Sequence, residues 1–136
     1  MPALTHSLSV LRPGETFGPH QITLSADDAR RYASAVGGES SPDYGGALPP
    51  MAIVAAGLSW LIGHLGLGAG TVHAGQEVEF HRPVMPGERI TARAELEANS
   101  VRRDVRFATV ATEFRDSAGR LVAVAALVCL CCSLVA

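Results

Sequence analysis

The feature that most constrains the fold is the stretch from about residue 50 to residue 65, which is apolar around the whole circumference of a helix. Pro49 and Pro50 open it, and proline is tolerated where the first-turn amides have no intrahelical partner anyway. A helix that is apolar on every face should be buried on most of its sides. We therefore predict a long helix over Met51–Leu65 that other elements surround.

Two different patterns flank this helix. Before it, Ser25 and Asp28 form a capping-box pattern, which predicts a helix over Ala26–Val36 after a short strand at Gln21–Leu24. After it, apolar and polar residues alternate with a period of two, which is typical of strands. The predicted long strands run from Thr71 to about Phe80, over Arg89–Ala98, over Val105–Phe114 and through the apolar tail Leu121–Ala136, with turns at Pro83–Gly87 and Asp116–Gly119.

Tight connections join these four strands, and they leave no room for the helical crossovers that parallel strands need. We therefore expect one α+β domain over residues 1–136, in which an antiparallel sheet curls around the long apolar helix. This arrangement is called the hot-dog fold. Sheets of this kind commonly pair across a symmetric interface, so a dimer is expected.

Charge and composition exclude several classes of function. The formal net charge is −2 and the arginines are scattered, which argues against a nucleic-acid partner. The tail Leu121–Ala136 is shorter than the roughly 20 residues of a spanning helix, so no membrane anchor is expected. The N-terminus lacks the pattern of a secretory signal, which predicts a cytoplasmic protein. The cysteines at 129, 131 and 132 lack zinc-ligand spacing, and we predict neither a metal nor a cofactor.

Three segments hold the residues that could carry chemistry: Glu39–Tyr44 (ESSPDY), Ala47–Met51 (ALPPM) and Val72–Glu88, which contains HRPVMPGE. Together they resemble the MaoC-like and fatty-acid-synthase-like dehydratase family, over about Leu11–Cys129. The resemblance implies the hot-dog fold. It also implies an acyl thioester ligand, because members of this family add or remove water across the α,β bond of acyl chains carried on coenzyme A or acyl carrier protein.

Hydratases of this family carry the motif D-x-N-P-x-H in the loop before the central helix, where Asp and His share the acid and base work. Aligned on Pro42, this chain has Glu39 at the Asp position and Tyr44 at the His position. A tyrosine, whose ordinary pKa is about 10, is a poor substitute for a neutral imidazole. This pair resembles the non-catalytic halves of heterodimeric or double-hot-dog dehydratases. The candidate catalytic residues are Glu39, Tyr44 and the neighbouring Asp43.

The candidate substrate-binding residues lie around the start of the long helix. The amides of Met51 and Ala52 could polarise a thioester carbonyl at the helix amino end. Gly45 and Gly46 would let an acyl chain approach the loop closely. His73, on the following strand, could reach the same cleft. Purely structural roles for the glycines and for His73 remain the alternative.

Two hypotheses of function follow. In the first, the chain binds acyl thioesters and serves as a substrate-binding subunit, in a homodimer or beside a second hot-dog chain that bears Asp and His. In the second, it is a free-standing dehydratase, isomerase or cyclase of fatty-acid or polyketide metabolism that takes a polyketide-like molecule. Whether the chain is itself an enzyme stays open. Thioester hydrolysis is disfavoured because Pro50–Leu65 lacks the carboxylate that hot-dog thioesterases commonly use.

Overall fold

The computed structural model describes residues 6–36, 45–66 and 70–132. The elements are β1 (His6–Ser7), β2 (Thr16–Thr23), α1 (Ala26–Val36), α2 (Pro50–His64), β3 (Leu65–Gly66), β4 (Val72–Phe80), β5 (Arg89–Arg102), β6 (Val105–Arg115) and β7 (Leu121–Cys132). Five of the described strands form one antiparallel sheet in the order β2–β5–β6–β7–β4, and the short strands β1 and β3 pair in parallel. This is the predicted α+β hot-dog arrangement, with α2 packed in the hollow of the sheet.

Helix α2 lies within one residue of its predicted bounds at each end. One of its faces is buried against the sheet, through Ala52, Ile53, Val54, Gly57 and Leu61. The expectation that most of its sides are buried is wrong for the opposite face, where Met51 and Ile62 are 39% and 47% exposed. The reason is geometric, because a single sheet can cover only one side of a helix.

Two strands depart from the sequence pattern. Strand β2 begins at Thr16, five residues before the predicted start at Gln21, and its pairing with β5 shifts register between Phe17 and His20. Gly18 and Pro19 lie in this irregular stretch, and a Gly-Pro pair is typical of a turn, so the pattern missed the first half of the strand. Strand β7 is described over Leu121–Cys132, and residues 133–136 of its predicted range lie outside the described residues.

Strand β4 forms one edge of the sheet, and the alternation of its side chains between the two faces shifts along its length. Its pairing with β7 shifts register between His73 and Gly75, as at a β-bulge. His73 lies opposite the buried Cys129, and Val78 lies opposite the buried Ala125. Directly opposite residues share a face of the sheet, so His73 shares the inner face with Gln76, Val78 and Phe80. The simple alternation read from the sequence had put His73 with the outward-facing polar residues.

Helix α1 begins with the predicted capping box. Ser25 Oγ accepts a hydrogen bond from the Asp28 amide at 3.1 Å, and Asp28 Oδ2 accepts one from the Ser25 amide at 2.8 Å. Within the described ranges, none of the helices is both long and apolar enough to cross a membrane.

Candidate functional site

A cavity of about 330 Å³ opens between the amino end of α2 and the sheet. We call it the main cavity. Its described lining comes from three places, namely the start of α2, the end of β4 with the segment that follows, and the first residues of β7. The lining residues are Ala47, Leu48, Pro49, Pro50, Ile53, Phe80, His81, Arg82, Pro83, Val84, Val122 and Ala123. Most of these side chains are apolar, so the cavity suits an apolar group better than a charged one.

Backbone hydrogen bonds hold the two sides of the main cavity together. The Leu48 amide donates to the Val84 carbonyl at 2.7 Å, which ties the segment before α2 to the segment after β4. The His81 amide donates to the Val122 carbonyl at 2.8 Å, which ties the end of β4 to β7. The cavity is therefore built into the fold by main-chain contacts.

A charged cluster around the cavity-lining Arg82 fixes the segment after β4. Arg82 Nη2 donates to Glu88 Oε1 at 2.5 Å and to Asp116 Oδ2 at 2.9 Å, while Arg82 Nη1 donates to the Pro83 carbonyl at 2.8 Å. Asp116 also accepts hydrogen bonds from the Arg120 side chain and from the amides of Arg120 and Ala118. Both terminal nitrogens of Arg82 are thus engaged with protein groups.

The pKa values in this cluster follow from these contacts. The pKa of Asp116 falls to about 2, first because the Arg120 amide donates to its carboxylate and then because Arg82 does. The hydrogen bond from Arg82 also lowers the pKa of Glu88, and the same bond raises the pKa of Arg82. All three groups therefore stay charged at neutral pH. The ion pairs with Glu88 and Asp116 hold Arg82 in place in the wall of the main cavity.

The start of α2 offers few donors to a ligand. Pro49 and Pro50 line the main cavity and have no amide hydrogen. The Ala52 amide, predicted as a carbonyl donor, donates to the Pro49 carbonyl at 2.9 Å. The Met51 amide lies in the first turn of α2, where backbone amides have no intrahelical partner. The roles of both amides towards a ligand stay predictions.

The other predicted site residues lie in different places. Gly45 and Gly46 precede the cavity-lining segment, are exposed and have φ values of 64° and 84°. A Cβ on Gly46 would lie 3.8 Å from Met85 Cε, so this loop passes close to the turn after β4. The candidate catalytic residues Glu39, Asp43 and Tyr44 lie outside the described residues.

His73 is not near the main cavity of its own chain. It is seven residues before Phe80 on β4, which corresponds to about 23 Å along an extended strand. Phe80 lines the cavity beside the amino end of α2, whereas His73 lies opposite Cys129, which belongs to the core around Leu61 and Leu65 at the other end of the helix. The structure therefore separates His73 from Gly45 and Gly46.

Sequence reasoning missed several residues of the site. His81 lies at the cavity, and its Nε2 is 3.5 Å from Glu79 Oε1. His81 belongs to the segment Val72–Glu88, but it was not among the candidate site residues. Val122 and Ala123 reach the cavity because β7 pairs with β4, and register between distant strands cannot be read from a local pattern.

Two further features concern packing and metals. Trp60 and His64 pack together, with ring centroids 5.5 Å apart, and His20 from β2 stacks on the same indole at 5.1 Å. Over residues 6–36, 45–66 and 70–132, no three His, Cys, Asp or Glu side chains are grouped so that they could hold a metal ion.

Comparison with known proteins identifies the family. The sequence profile of the FAS1-like dehydratase domain region matches residues 12–125, and the chain therefore belongs to this family. Comparison with curated protein sequences gave no match.

Solved structures with the same fold carry dehydratase and hydratase names. The MaoC-like dehydratase from Rhodospirillum rubrum has a TM-score of 0.73 at 18% identity, over 92% of this chain and 95% of that one. The (R)-hydratase from A. caviae, involved in PHA biosynthesis, has a TM-score of 0.69 at 23% identity, over 88% and 96%. The HadBC (3R-hydroxyacyl-ACP dehydratase) complex from Mycobacterium tuberculosis has a TM-score of 0.69 at 18% identity, also over 88% and 96%. This chain thus has the MaoC-like hot-dog fold.

Proposed function

We propose that this chain binds an acyl thioester, with the acyl chain in the main cavity, and acts as a substrate-binding subunit of a dehydratase. The observation that carries the proposal is the cavity itself. Its volume of about 330 Å³ lies at the lower end of the range of small-molecule sites, about 300–1,000 Å³. In a chain of the dehydratase family, an apolar cavity beside the central helix suits an acyl chain.

Two features favour a binding role over complete catalysis. The family's Asp and His positions hold Glu39 and Tyr44 in this sequence. Pro49 and Pro50 remove two amides from the helix end that lines the cavity, and Ala52 uses its amide internally. The negatively charged oxygen of a tetrahedral or enolate-like intermediate needs preorganised hydrogen-bond donors. This helix end supplies fewer backbone donors than a helix end without proline would.

A second hot-dog chain would complete the catalytic unit. The similar dehydratase from Mycobacterium tuberculosis is a complex, HadBC. In the present chain β4 is an edge strand, and an open edge is a template for pairing with another chain. The proposed partner is either a second copy of this chain or a related chain that bears Asp and His.

Binding can be tested with the purified chain and short saturated thioesters, butanoyl-coenzyme A and hexanoyl-coenzyme A, by isothermal titration calorimetry. Ala47→Trp places an indole at the cavity and should weaken binding by at least about tenfold, because it fills the space that the acyl chain needs. Ala98→Trp is the matched control, since Ala98 is exposed on β5 and does not line the cavity. Equal binding by both variants would contradict the proposed site.

A hydratase assay distinguishes a substrate-binding subunit from an enzyme that is active on its own. The chain alone should not hydrate crotonyl-coenzyme A at an enzymatic rate. Hydration at such a rate, lost on Glu39→Gln or Tyr44→Phe, would overturn the subunit role while leaving the binding site in place.

One observation favours the second candidate, a repurposed dehydratase, isomerase or cyclase of fatty-acid or polyketide metabolism. His81 lines the main cavity, and its Nε2 is 3.5 Å from the carboxylate of Glu79, which lies on the outer face of β4 and is 76% exposed. A histidine near a carboxylate is a common proton-transfer group. Turnover of a β-hydroxyacyl or polyketide thioester that is lost on His81→Gln would support this candidate. If His81→Gln turns over the same thioester at the native rate, His81 takes no part in the chemistry.

A further inference from the structure

Strand β4 ends the five-stranded sheet and is long for an open edge. It has 9 residues, Val72–Phe80, and contains no proline. Its outer edge has no neighbour among the described strands. Natural proteins usually protect such an edge by shortening the strand or by placing proline or charge on it, because open backbone groups attract another chain. The side chains on β4 therefore decide which chain can pair with it.

Two carboxylates lie together on the outer face of β4. Glu77 lies opposite Ala126 and Glu79 lies opposite Val124 on β7, and both glutamates are exposed. Among the described residues, no arginine forms an ion pair with either carboxylate. The Nε2 of His81 is 3.5 Å from Glu79 Oε1, but histidine is ordinarily neutral above about pH 7. The outer face of this edge is therefore acidic.

A second copy of this chain would bring these carboxylates together. Two copies related by a two-fold axis perpendicular to the sheet pair their β4 strands antiparallel, and directly opposite residues share a face. With the axis at Glu77 or Glu79, that glutamate lies opposite its own copy; with the axis at Val78, Glu77 lies opposite the second Glu79. With the axis at Gln76 or Phe80, one glutamate lies diagonal to its own copy. Each of these registers places like charges side by side, which destabilises a strand pair.

The two ends of β4 have a different character. Val72 is 55% exposed and Phe80 is 43% exposed, and the two glutamates lie between them. Exposed apolar side chains on an open edge favour contact with another chain. The strand therefore combines apolar ends, which suit a partner, with an acidic segment, which suits a basic one.

We propose that β4 pairs with the edge strand of a related hot-dog chain that carries arginine or lysine on its outer face, in preference to a second copy of this chain. Opposite charges on directly opposite residues stabilise a strand pair, whereas two glutamates destabilise it. The inference rests on the proposed function, because it chooses between the two partners named there for the substrate-binding subunit. The chain that supplies Asp and His is accordingly a different chain with a basic edge strand.

A charge-reversed copy of this chain can stand in for the basic partner. Glu77→Arg/Glu79→Arg, the reversed variant, presents two guanidinium groups where the native chain has carboxylates. The chain contains no lysine, so an amine-reactive dye labels the native protein only at its amino terminus. Microscale thermophoresis then compares the binding of unlabelled native chain and of reversed variant to the labelled native chain, at about pH 8 and about 50 mM NaCl, where histidine is neutral and screening is weak.

The reversed variant should bind the native chain at least about tenfold more tightly than the native chain binds itself, because opposite charges replace like charges at several positions. In about 1 M NaCl this difference should shrink, since the Debye length falls to about 3 Å.

Two further variants control for indirect effects. Glu95→Arg/Glu97→Arg makes the same change in net charge on β5, which lies inside the sheet between β2 and β6. It should bind the native chain only about as tightly as the native chain binds itself. Glu77→Gln/Glu79→Gln removes the repulsion without adding the opposite charge, so it should self-associate more tightly than the native chain. This variant keeps the inference testable if the reversed variant does not fold.

These measurements need no thioester, so they are independent of the calorimetric test of acyl binding. If the reversed variant gains no affinity for the native chain, or the β5 variant gains as much, charge on β4 does not select the partner and the inference is wrong. Unchanged self-association of the glutamine variant would contradict it as well. If the reversed variant alone gains affinity but no acyl thioester binds, the selection by β4 is right and the proposed function is wrong.

Discussion

Gly57 lets α2 lie directly on the ring of Phe114. A Cβ at this position would be 2.6 Å from two ring atoms of Phe114, which is itself 1% exposed and enclosed by the core. We predict that Gly57→Ala lowers the free energy of unfolding by roughly 1–2 kcal/mol, because overpacking outweighs the better helix propensity of alanine. Urea denaturation at a fixed protein concentration measures the difference.

Gly63 provides the matched control for this prediction. It lies in the same helix, but a Cβ there would meet nothing within 4 Å. Gly63→Ala should therefore leave stability unchanged or raise it by up to about 1 kcal/mol. If both substitutions changed stability in the same direction, helix propensity rather than contact with Phe114 would govern position 57.

Asp116 makes stability depend on pH in the acid range. Its pKa in the folded chain is about 2, below its ordinary value of 3.8. Its contribution is therefore complete above pH 4 and is lost as the pH falls from about 4 through about 2. Glu88, whose pKa is also lowered, acts in the same direction.

We predict that Asp116→Asn lowers the melting temperature at neutral pH and flattens its fall between about pH 4 and pH 2. Glu113→Gln is the control, because the Glu113 side chain is 50% exposed and its contact with Arg115 is at the surface. Thermal melts across this pH range measure both variants. An unchanged slope in Asp116→Asn would show that the acid sensitivity arises elsewhere.

Among the elements, α1 depends most on its own capping interactions. None of its residues is buried, so little packing energy holds it in place. Ser25→Ala removes the hydroxyl that accepts from the Asp28 amide, and loss of an N-cap typically costs about 1 kcal/mol. Hydrogen exchange of the α1 amides should become faster while the amides of β6 and β7 keep their protection.

Ser59→Ala on the exposed side of α2 is the comparison for this change. It removes the same hydroxyl from a helix interior and should leave exchange in α1 unaltered. Faster exchange throughout the sheet in Ser25→Ala would contradict a local role for the cap.

Elements with a strong local signal could be predicted from the sequence. The proline start and apolar run fixed the position of α2, and the Ser25–Asp28 pair fixed the start of α1. The shift in β4 between His73 and Gly75 could not be predicted, because it depends on pairing with β7. For the same reason the sequence named residues near the start of α2 but not Val122 or Ala123, which pairing brings to the cavity.

At the scale of the whole molecule, the exposed apolar face of α2 and the open edge of β4 form one surface. Successive residues of a helix are rotated by about 100°. Trp60 points towards β2, where it meets Gly18, and Met51, Ala55 and Ile62 lie on nearly the opposite side of the helix. The apolar stripe is therefore on the β4 side, next to the strand that has no neighbour among the described strands on its outer edge.

A second hot-dog chain on this surface would cover the apolar stripe and pair with β4 at once, and we predict that the protein dimerises in this way. Ile62→Lys should weaken the dimer by at least about tenfold, because a charge would replace apolar area at the interface. Val10→Lys is the control, since Val10 is 68% exposed and lies outside this surface. Sedimentation velocity over a range of concentrations measures both dissociation constants.

The same surface could form the interface of a homodimer or of a heterodimer. The sedimentation experiment distinguishes the two assemblies. A native chain that self-associates, and loses this only on Ile62→Lys, is a homodimer through the predicted surface. A chain that is monomeric alone but associates with an Asp- and His-bearing hot-dog chain, again weakened only by Ile62→Lys, is one half of a heterodimer. Equal effects of the two lysine variants would place the interface elsewhere. The heterodimer would also explain how a chain with Glu39 and Tyr44 at the family's dyad positions takes part in dehydration, because the partner would then supply the missing imidazole.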